Sequence, residues 1–202
     1  MANESINFDY LRPENLSRAV YLNKDIDAEI IGEITQSIIF INDIDDYYEY
    51  LCGKSGIQFV REPIRLYINS WGGLFHPCIS LVNTMLSSKT PIETYCTGTA
   101  SSSAFVIFIC GTKRYAYKYS IFMYHQLASG TDGKIIELEE GLAQSLKLQA
   151  TMEEVVIENT KIPFNRLRQI YNSKLDWYFN TDEALKLGVV DEIILPTKTT
   201  KK

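Results

Sequence analysis

The hydrophobic positions of this chain switch repeatedly between strand-like runs and helical spacing. Isoleucines recur at three- and four-residue intervals between Asp27 and Ile41, which predicts an amphipathic helix. Further helices are predicted over 75–88, 102–110, 134–160, 163–171 and 180–188, and strands over 18–23, 63–68, 91–95, 113–117, 120–124 and 189–195. The small residues from Gly98 onward are predicted to turn into the helix at 102. This alternation is typical of an α/β domain with a mainly parallel sheet.

Length and composition favour one globular domain. The chain has 202 residues, of which 46% are hydrophobic and 22% charged, so we expect a single domain over 18–197, an N-terminal segment at 1–17 and a tail at 198–202. A net charge of -5 gives no electrostatic reason to expect nucleic acid as a partner. No apolar run approaches the roughly 20 residues of a membrane span, and no secretory signal is visible. We therefore expect a cytoplasmic location.

The cysteines do not suggest a metal or cofactor site. Four are present, at Cys52, Cys78, Cys96 and Cys110, with no CxxC pair and no histidine at ligand spacing. Reduced thiols that serve as small core residues are the better interpretation. The expectation is accordingly no metal and no cofactor.

A candidate for nucleophilic catalysis is Ser102, with His125 as base and Asp176 as the orienting acid. A serine hydroxyl becomes a good nucleophile when an imidazole takes its proton, and a carboxylate fixes the tautomer of that imidazole. The residues alone leave alternatives open at each position. Ser101 and Ser103 compete with Ser102, because three adjacent serines on a helix point in different directions. The other histidine of the chain, His76, is the alternative base, and the alternatives for the acid are Asp182 and Asp191.

Four blocks in order carry a resemblance to the ClpP family, the proteolytic subunits of Clp proteases. They are Ile68–Gly73, Gly98–Phe105, Met123–Gln126, and Asp176 with the stretches at 182–184 and 188–191. The resemblance covers roughly residues 18–194. It implies a serine endopeptidase with Ser102, His125 and Asp176 as the catalytic residues. It further implies that the backbone N–H groups of Gly73 and Ser103 form the oxyanion hole and that Gln126 and Leu127 bind the substrate.

The same resemblance implies a ClpP/crotonase-like fold, with a head of repeated β-β-α units and a protruding helical handle at about 126–160. It also implies homo-oligomeric heptameric rings, stacked as a tetradecamer, that hydrolyse unfolded polypeptides delivered by an AAA+ unfoldase ATPase. The helix at 134–160 carries apolar residues that are expected either to pack on another subunit or to enter the core of the same chain, namely Ile135, Leu138, Leu142, Leu146 and Met152.

Several positions depart from the family pattern. Trp71 and Leu127 stand where proline is usual, and Lys174-Leu175 replaces an Asp-Arg pair that contacts the opposite ring. Residues 42–62 are longer than the usual connection, and the segment before Arg18 is short for an axial gate. Two alternative functions are a catalytically silent ring subunit and a crotonase-type acyl-CoA enzyme. The presence of all three catalytic residue types disfavours both.

Overall fold

A computed structural model describes residues 16–130 and 132–197, which form a seven-stranded sheet and six helices. The elements in chain order are β1 (Ala19–Leu22), α1 (Ala28–Lys54), β2 (Ile64–Ser70), α2 (Phe75–Ser87), β3 (Ile92–Ser101), α3 (Ser103–Ile109), β4 (Lys113–Tyr117), β5 (Ile121–Tyr124), α4 (Ile135–Asn159), α5 (Phe164–Ser173), β6 (Trp177–Asn180), α6 (Thr181–Lys186) and β7 (Glu192–Ile194). The predicted tail and most of the predicted N-terminal segment lie outside the described residues.

The sheet is parallel except for one strand pair. Its main order is β1-β2-β3-β4-β7, with β5 also paired to β3 and β6 antiparallel to β5. The predicted α/β class with a mainly parallel sheet is confirmed. The sequence pattern did not predict β6, because a strand of four residues with a single buried position, Phe179, is too short to show a period.

Strand β3 is longer than predicted, and its length builds the site described below. Its first half pairs with β4, and the residues from Thr99 to Ser101 pair with β5. The predicted turn at residues 98–101 is therefore wrong. Small residues are needed there for close packing: a Cβ on Gly98 would lie 2.5 Å from the Asn69 side chain.

Helix α1 runs about thirteen residues past the predicted end at Ile41. Ile44 and Asp45 continue its buried stripe, so part of the unassigned stretch 42–62 is helix. Asp45 is fully buried and accepts hydrogen bonds from Arg18 (2.5 and 3.0 Å) and from the Thr90 hydroxyl (2.7 Å). A polar residue within the stripe hid the continuation of the helix, because its partners come from distant parts of the chain.

The core lies between the sheet and the helices, and α3 is buried along its whole length. The opposite sheet face carries a row of tyrosines, one from each of four neighbouring strands, with ring centroids 4.6 to 5.4 Å apart: Tyr21, Tyr67, Tyr95 and Tyr115. Alternation of buried and outward positions along β2 produces this division.

Helix α4 enters the core only through its C-terminal half. Its buried residues are Gln149, Met152, Glu153 and Val156. Met152 is 3% exposed, so the possibility that it packs on another subunit is wrong. The other four apolar residues of the predicted stripe are exposed, from 37% at Leu138 to 76% at Ile135. Within the described residues, no helix combines the length and apolar character needed to cross a membrane.

Candidate active site

Ser102 occupies a strained turn between β3 and α3. Its φ of 54° and ψ of -125° are rare for a residue with a side chain. Its backbone N–H donates to the Met123 carbonyl of β5 (2.9 Å), which fixes the turn against the neighbouring strand. The expectation that the three serines share one helix is wrong: Ser101 ends the strand, Ser102 caps the helix and Ser103 begins it. Only Ser102 is held in the strained conformation.

His125 and Asp176 face each other because β5 and β6 are antiparallel. The last registered pair is Tyr124 with Trp177, and one step further along both strands the opposed residues are His125 and Asp176. The contact between imidazole and carboxylate is therefore a consequence of the strand that sequence periodicity missed.

The three side chains form a connected row. Ser102 Oγ lies 2.8 Å from His125 Nε2, within hydrogen-bond distance. His125 Nδ1 lies 3.4 Å from Asp176 Oδ1, slightly longer than a standard hydrogen bond. The His125 side chain is 25% exposed and that of Asp176 is 52% exposed, so solvent reaches the acid end of the row more easily than the middle.

The alternative residues lie elsewhere. His76 is exposed in the first turn of α2. Asp182 lies exposed in the first turn of α6, and Asp191 forms an ion pair with Arg114 at 2.7 Å. The structure thus brings Ser102, His125 and Asp176 together and leaves His76, Asp182 and Asp191 in other roles.

The Gly72-Gly73 loop lies directly against the serine turn. A Cβ on Gly72 would lie 2.8 Å from the Ser102 Cβ and 3.1 Å from the Ser103 nitrogen. A Cβ on Gly73 would lie 2.4 Å from the Ile26 carbonyl oxygen. Both glycines have positive φ, 103° and 144°, so neither position suits another residue.

Backbone hydrogen bonds orient the Gly73 N–H. The Gly72 carbonyl accepts from Ile26 N–H at 2.7 Å. Because a trans peptide directs its C=O and N–H oppositely, the Gly73 N–H points away from Ile26. Among the residues described, neither this N–H nor that of Ser103 has a hydrogen-bond partner. Two free donors beside a serine hydroxyl are what an oxyanion hole requires.

Sequence reasoning missed two contributions at this loop. It did not recognise that the missing side chain of Gly72 makes room for Ser102, or that the Ser103 hydroxyl donates to the Gly73 carbonyl (2.9 Å). The double glycine was a signal for the first. No sequence signal indicates the second, because residues thirty positions apart meet only in the folded chain.

The segment after His125 is tied to α4. Leu127 N–H donates to Gln149 Oε1 (2.7 Å), and Gln149 Nε2 donates to the buried Glu153 (2.8 Å), which Arg168 also contacts (3.0 Å). Gln126 and Leu127 help to line an open cavity of about 260 Å³ together with Leu142, Ser145, Leu146 and Tyr171. The two predicted substrate-binding residues therefore lie between the catalytic row and the exposed part of α4.

No cluster of three or more metal-ligating side chains occurs in the described parts of the chain. The buried Cys78 thiol donates to the Ser103 carbonyl at 3.3 Å, and burial raises the pKa of this thiol, which keeps it a neutral donor. The chemistry available at the site is thus that of hydroxyl, imidazole, carboxylate and backbone amides.

The chain is similar to known proteins over most of its length. The family model for Clp protease matches residues 54–197. The chain belongs to the Clp protease family. It is 26% identical over 183 residues to the ATP-dependent Clp protease proteolytic subunit of Deinococcus radiodurans, covering 90% of this chain and 82% of that protein. For the protein of the same name from Dehalococcoides mccartyi, identity is 25% over 179 residues, or 88% and 82% of the two chains.

Membership in the Clp protease family confirms the resemblance found in the four sequence blocks. The low identity to both relatives marks this chain as a divergent member. The family match supports a ClpP-type peptidase and agrees with the mixed α/β fold around a parallel sheet.

Proposed function

We propose that this protein is a serine endopeptidase in which Ser102 is the nucleophile, His125 the general base and Asp176 the orienting acid. The observation that carries the proposal is the 2.8 Å contact between Ser102 Oγ and His125 Nε2, made at a strained strand–helix turn. Strain of this kind persists where the surrounding structure holds it, and it occurs most often at functional sites.

The proposed reaction proceeds in two stages. His125 Nε2 takes the Ser102 proton as the oxygen attacks the scissile carbonyl, and the N–H groups of Gly73 and Ser103 stabilise the resulting oxyanion. The imidazolium then gives its proton to the leaving amine, which produces an acyl-serine and the first product. Water deprotonated by His125 hydrolyses the ester and restores the serine.

Asp176 holds the imidazole in the tautomer with a proton on Nδ1. At 3.4 Å the contact is looser than the Ser102–His125 contact, as catalytic hydrogen bonds often are in ligand-free enzymes. Developing positive charge on the ring strengthens its attraction to the carboxylate, so the contact is expected to shorten when substrate binds.

The substrate is proposed to be an unfolded polypeptide that lies along Gln126 and Leu127. This segment leaves the catalytic histidine and forms no strand of its own in the described chain. Since the Leu127 N–H already bonds Gln149, the remaining backbone groups of the segment are the ones available to pair with a peptide.

Helix α4 supports the proposal of a homo-oligomer. Its 25 residues span about 37 Å, and its first half exposes Ile135, Ile136, Leu138, Leu142 and Leu146. Contiguous exposed apolar surface of this kind marks an interaction site. We propose heptameric rings, paired as a tetradecamer through these helices, and an AAA+ ATPase as the partner that feeds the chamber. The names of the two relatives, which describe the proteolytic subunit of an ATP-dependent protease, support the last step.

The catalytic proposal is tested with Ser102→Ala and its matched control Ser101→Ala. Ser101 is the neighbouring buried serine, and its hydroxyl bonds Thr99 (2.9 Å) rather than His125. Turnover of a short fluorogenic peptide and labelling by a fluorophosphonate probe are measured on the assembled protein. We expect Ser102→Ala to abolish labelling and to lower turnover by a factor on the order of 10⁶, with Ser101→Ala and His76→Ala close to the native protein.

Three results would each contradict the catalytic assignment. Loss of activity in Ser101→Ala with retention in Ser102→Ala would move the nucleophile by one residue. A native protein that neither labels nor cleaves peptide would favour the silent ring subunit, and acyl-CoA turnover without labelling would favour the crotonase-type enzyme.

The assembly proposal is tested by native mass spectrometry of the protein and of Leu142→Asp. Leu142 is 60% exposed on α4, and the control Ile57→Asp changes a residue that is 61% exposed outside that helix. We expect a tetradecamer that releases single heptamers on dilution, because Lys174-Leu175 replaces the usual charged pair. Leu142→Asp should separate the rings and Ile57→Asp should not. A stable monomer at micromolar concentration would contradict the ring model.

A further inference from the structure

The Ser103 side chain joins two segments that are distant in sequence. Its hydroxyl donates to the Gly73 carbonyl at 2.9 Å, across thirty residues, and the serine itself is 3% exposed. It makes no capping bond within α3, which is the usual use of a serine at the start of a helix. The hydroxyl is thus committed to the loop that carries Gly73.

That loop is held on two sides. On one side Gly72 and Leu74 form backbone hydrogen bonds with Ile26, at 2.7 and 2.8 Å. On the other side the Gly73 carbonyl accepts a hydrogen bond from the Ser103 hydroxyl, which is its one hydrogen-bond partner among the described residues. Without it, the Gly73 carbonyl would lose this partner, and the hydrogen bonds left to the loop would be those to Ile26 and the one from the Gly72 N–H to Ser70 Oγ (3.1 Å), none of which holds the Gly73 carbonyl.

The two groups that this hydroxyl joins are the residues whose N–H groups form the proposed oxyanion hole. Ser103 supplies one N–H and Gly73 the other. Oxyanion donors are effective because they are fixed before charge develops, and a misplacement of about 1 Å costs on the order of 100-fold in rate.

We propose that the Ser103 hydroxyl is a positioning group that sets the spacing and direction of the two oxyanion donors. It acts through the Gly73 carbonyl and does not itself contact the substrate. The inference rests on the proposed peptidase function. It adds a role for the Ser103 side chain to the oxyanion-hole role of the Ser103 backbone N–H.

The test compares Ser103→Ala with Ser101→Ala, since both remove one buried hydroxyl from the same turn and only the first touches Gly73. Turnover of a fluorogenic peptide gives kcat and KM. Inhibition by a matched peptide aldehyde reports the oxyanion hole, because its adduct with a serine resembles the tetrahedral intermediate. Thermal unfolding and native mass confirm that each variant is folded and assembled.

For Ser103→Ala we expect kcat and aldehyde affinity each to fall about 10-fold, with KM changed less than about twofold. This 10-fold effect is smaller than the effect of removing a whole oxyanion-hole donor, because both N–H groups remain. Ser103→Thr, which keeps a hydroxyl, should recover part of the loss in both readouts. Ser101→Ala should change neither.

The inference is overturned if Ser103→Ala behaves like Ser101→Ala, if its defect lies only in KM, or if Ser103→Thr is no better than Ser103→Ala. These outcomes are separate from failure of the peptidase function itself. That failure would show as full activity in Ser102→Ala, whereas the present inference fails while Ser102→Ala remains inactive.

Discussion

Replacement of Gly72 by alanine should displace the candidate nucleophile. The new Cβ would lie 2.7 Å from the Ser101 carbonyl oxygen and 2.8 Å from the Ser102 Cβ, where ordinary contacts begin at 3.4 Å. Both neighbours belong to the strained turn, so neither can move as a flexible side chain does. The loop and the serine must separate by about half an ångström or more.

The cost follows from two sources. A residue with a side chain at φ 103° is strained by about 1–3 kcal/mol, and overpacking a buried contact costs about 1–3 kcal/mol more. We therefore expect Gly72→Ala to lower the free energy of unfolding by several kcal/mol. Since misplacement of reacting groups by about 1 Å costs on the order of 100-fold, a displacement of about half that size should lower kcat by roughly 10-fold or more.

Gly32→Ala is the matched control. Gly32 lies within α1, and a Cβ there meets nothing within 4 Å. Alanine is favoured over glycine in a helix by about 0.8–1 kcal/mol, so the control should be slightly more stable and fully active. Chemical denaturation gives the stability of each variant. The rate of fluorophosphonate labelling follows the reactivity of Ser102 independently of peptide binding.

The steric argument is refuted if Gly72→Ala folds with native stability and labels at a rate within about threefold of the native protein. A loss of stability with unchanged labelling would show that the turn absorbs the methyl group without moving Ser102, which contradicts the proposed coupling of loop and nucleophile.

Two further predictions concern the cysteines and the acid limit of stability. Burial raises the pKa of the Cys96 and Cys110 thiols to about 12 and also raises that of Cys78. A thiol reagent at about pH 8 should therefore modify only Cys52 in the folded protein and all four cysteines after unfolding. Labelling of more than one thiol in the folded state would contradict this prediction. Burial tends to raise the pKa of Asp191, but hydrogen bonds from Arg114 outweigh it and hold the pKa below the usual 3.8. The contribution of the Arg114–Asp191 pair to the stability of the folded protein is therefore complete above pH 3.8 and is lost as pH falls through the lowered pKa of Asp191. Denaturation of Asp191→Asn should show a deficit near neutral pH that shrinks below about pH 4, and a deficit independent of pH would refute the assignment.

Local periodicity predicted most elements of this fold because it reflects burial of one face. The isoleucines of α1 and the alternation in β2 reveal their buried sides directly. The helix predicted from residue 180 begins there, with the Asn180 side chain capping α6 by accepting the Glu183 N–H. These features depend on residues within a few positions of one another.

The missed features depend on distant partners. Asp45 is buried because Arg18 and Thr90 satisfy it, and the second half of β3 is a strand because β5 lies beside it. Neither partner is visible in a short window of sequence, so the end of α1 and the strand before Ser102 were both assigned incorrectly.

The candidate site divides in the same way. The sequence determined its chemistry: a serine between small residues, a histidine at a strand end, and a glycine pair after another strand. Which of the three serines bears the strain depends on the folded chain, as do the contact of that serine with His125 rather than His76 and the contact of the Ser103 hydroxyl with the Gly73 carbonyl. Residue types and their spacing determine which groups are available, but distances of about 3 Å between them arise from strand pairing and loop packing across the whole chain.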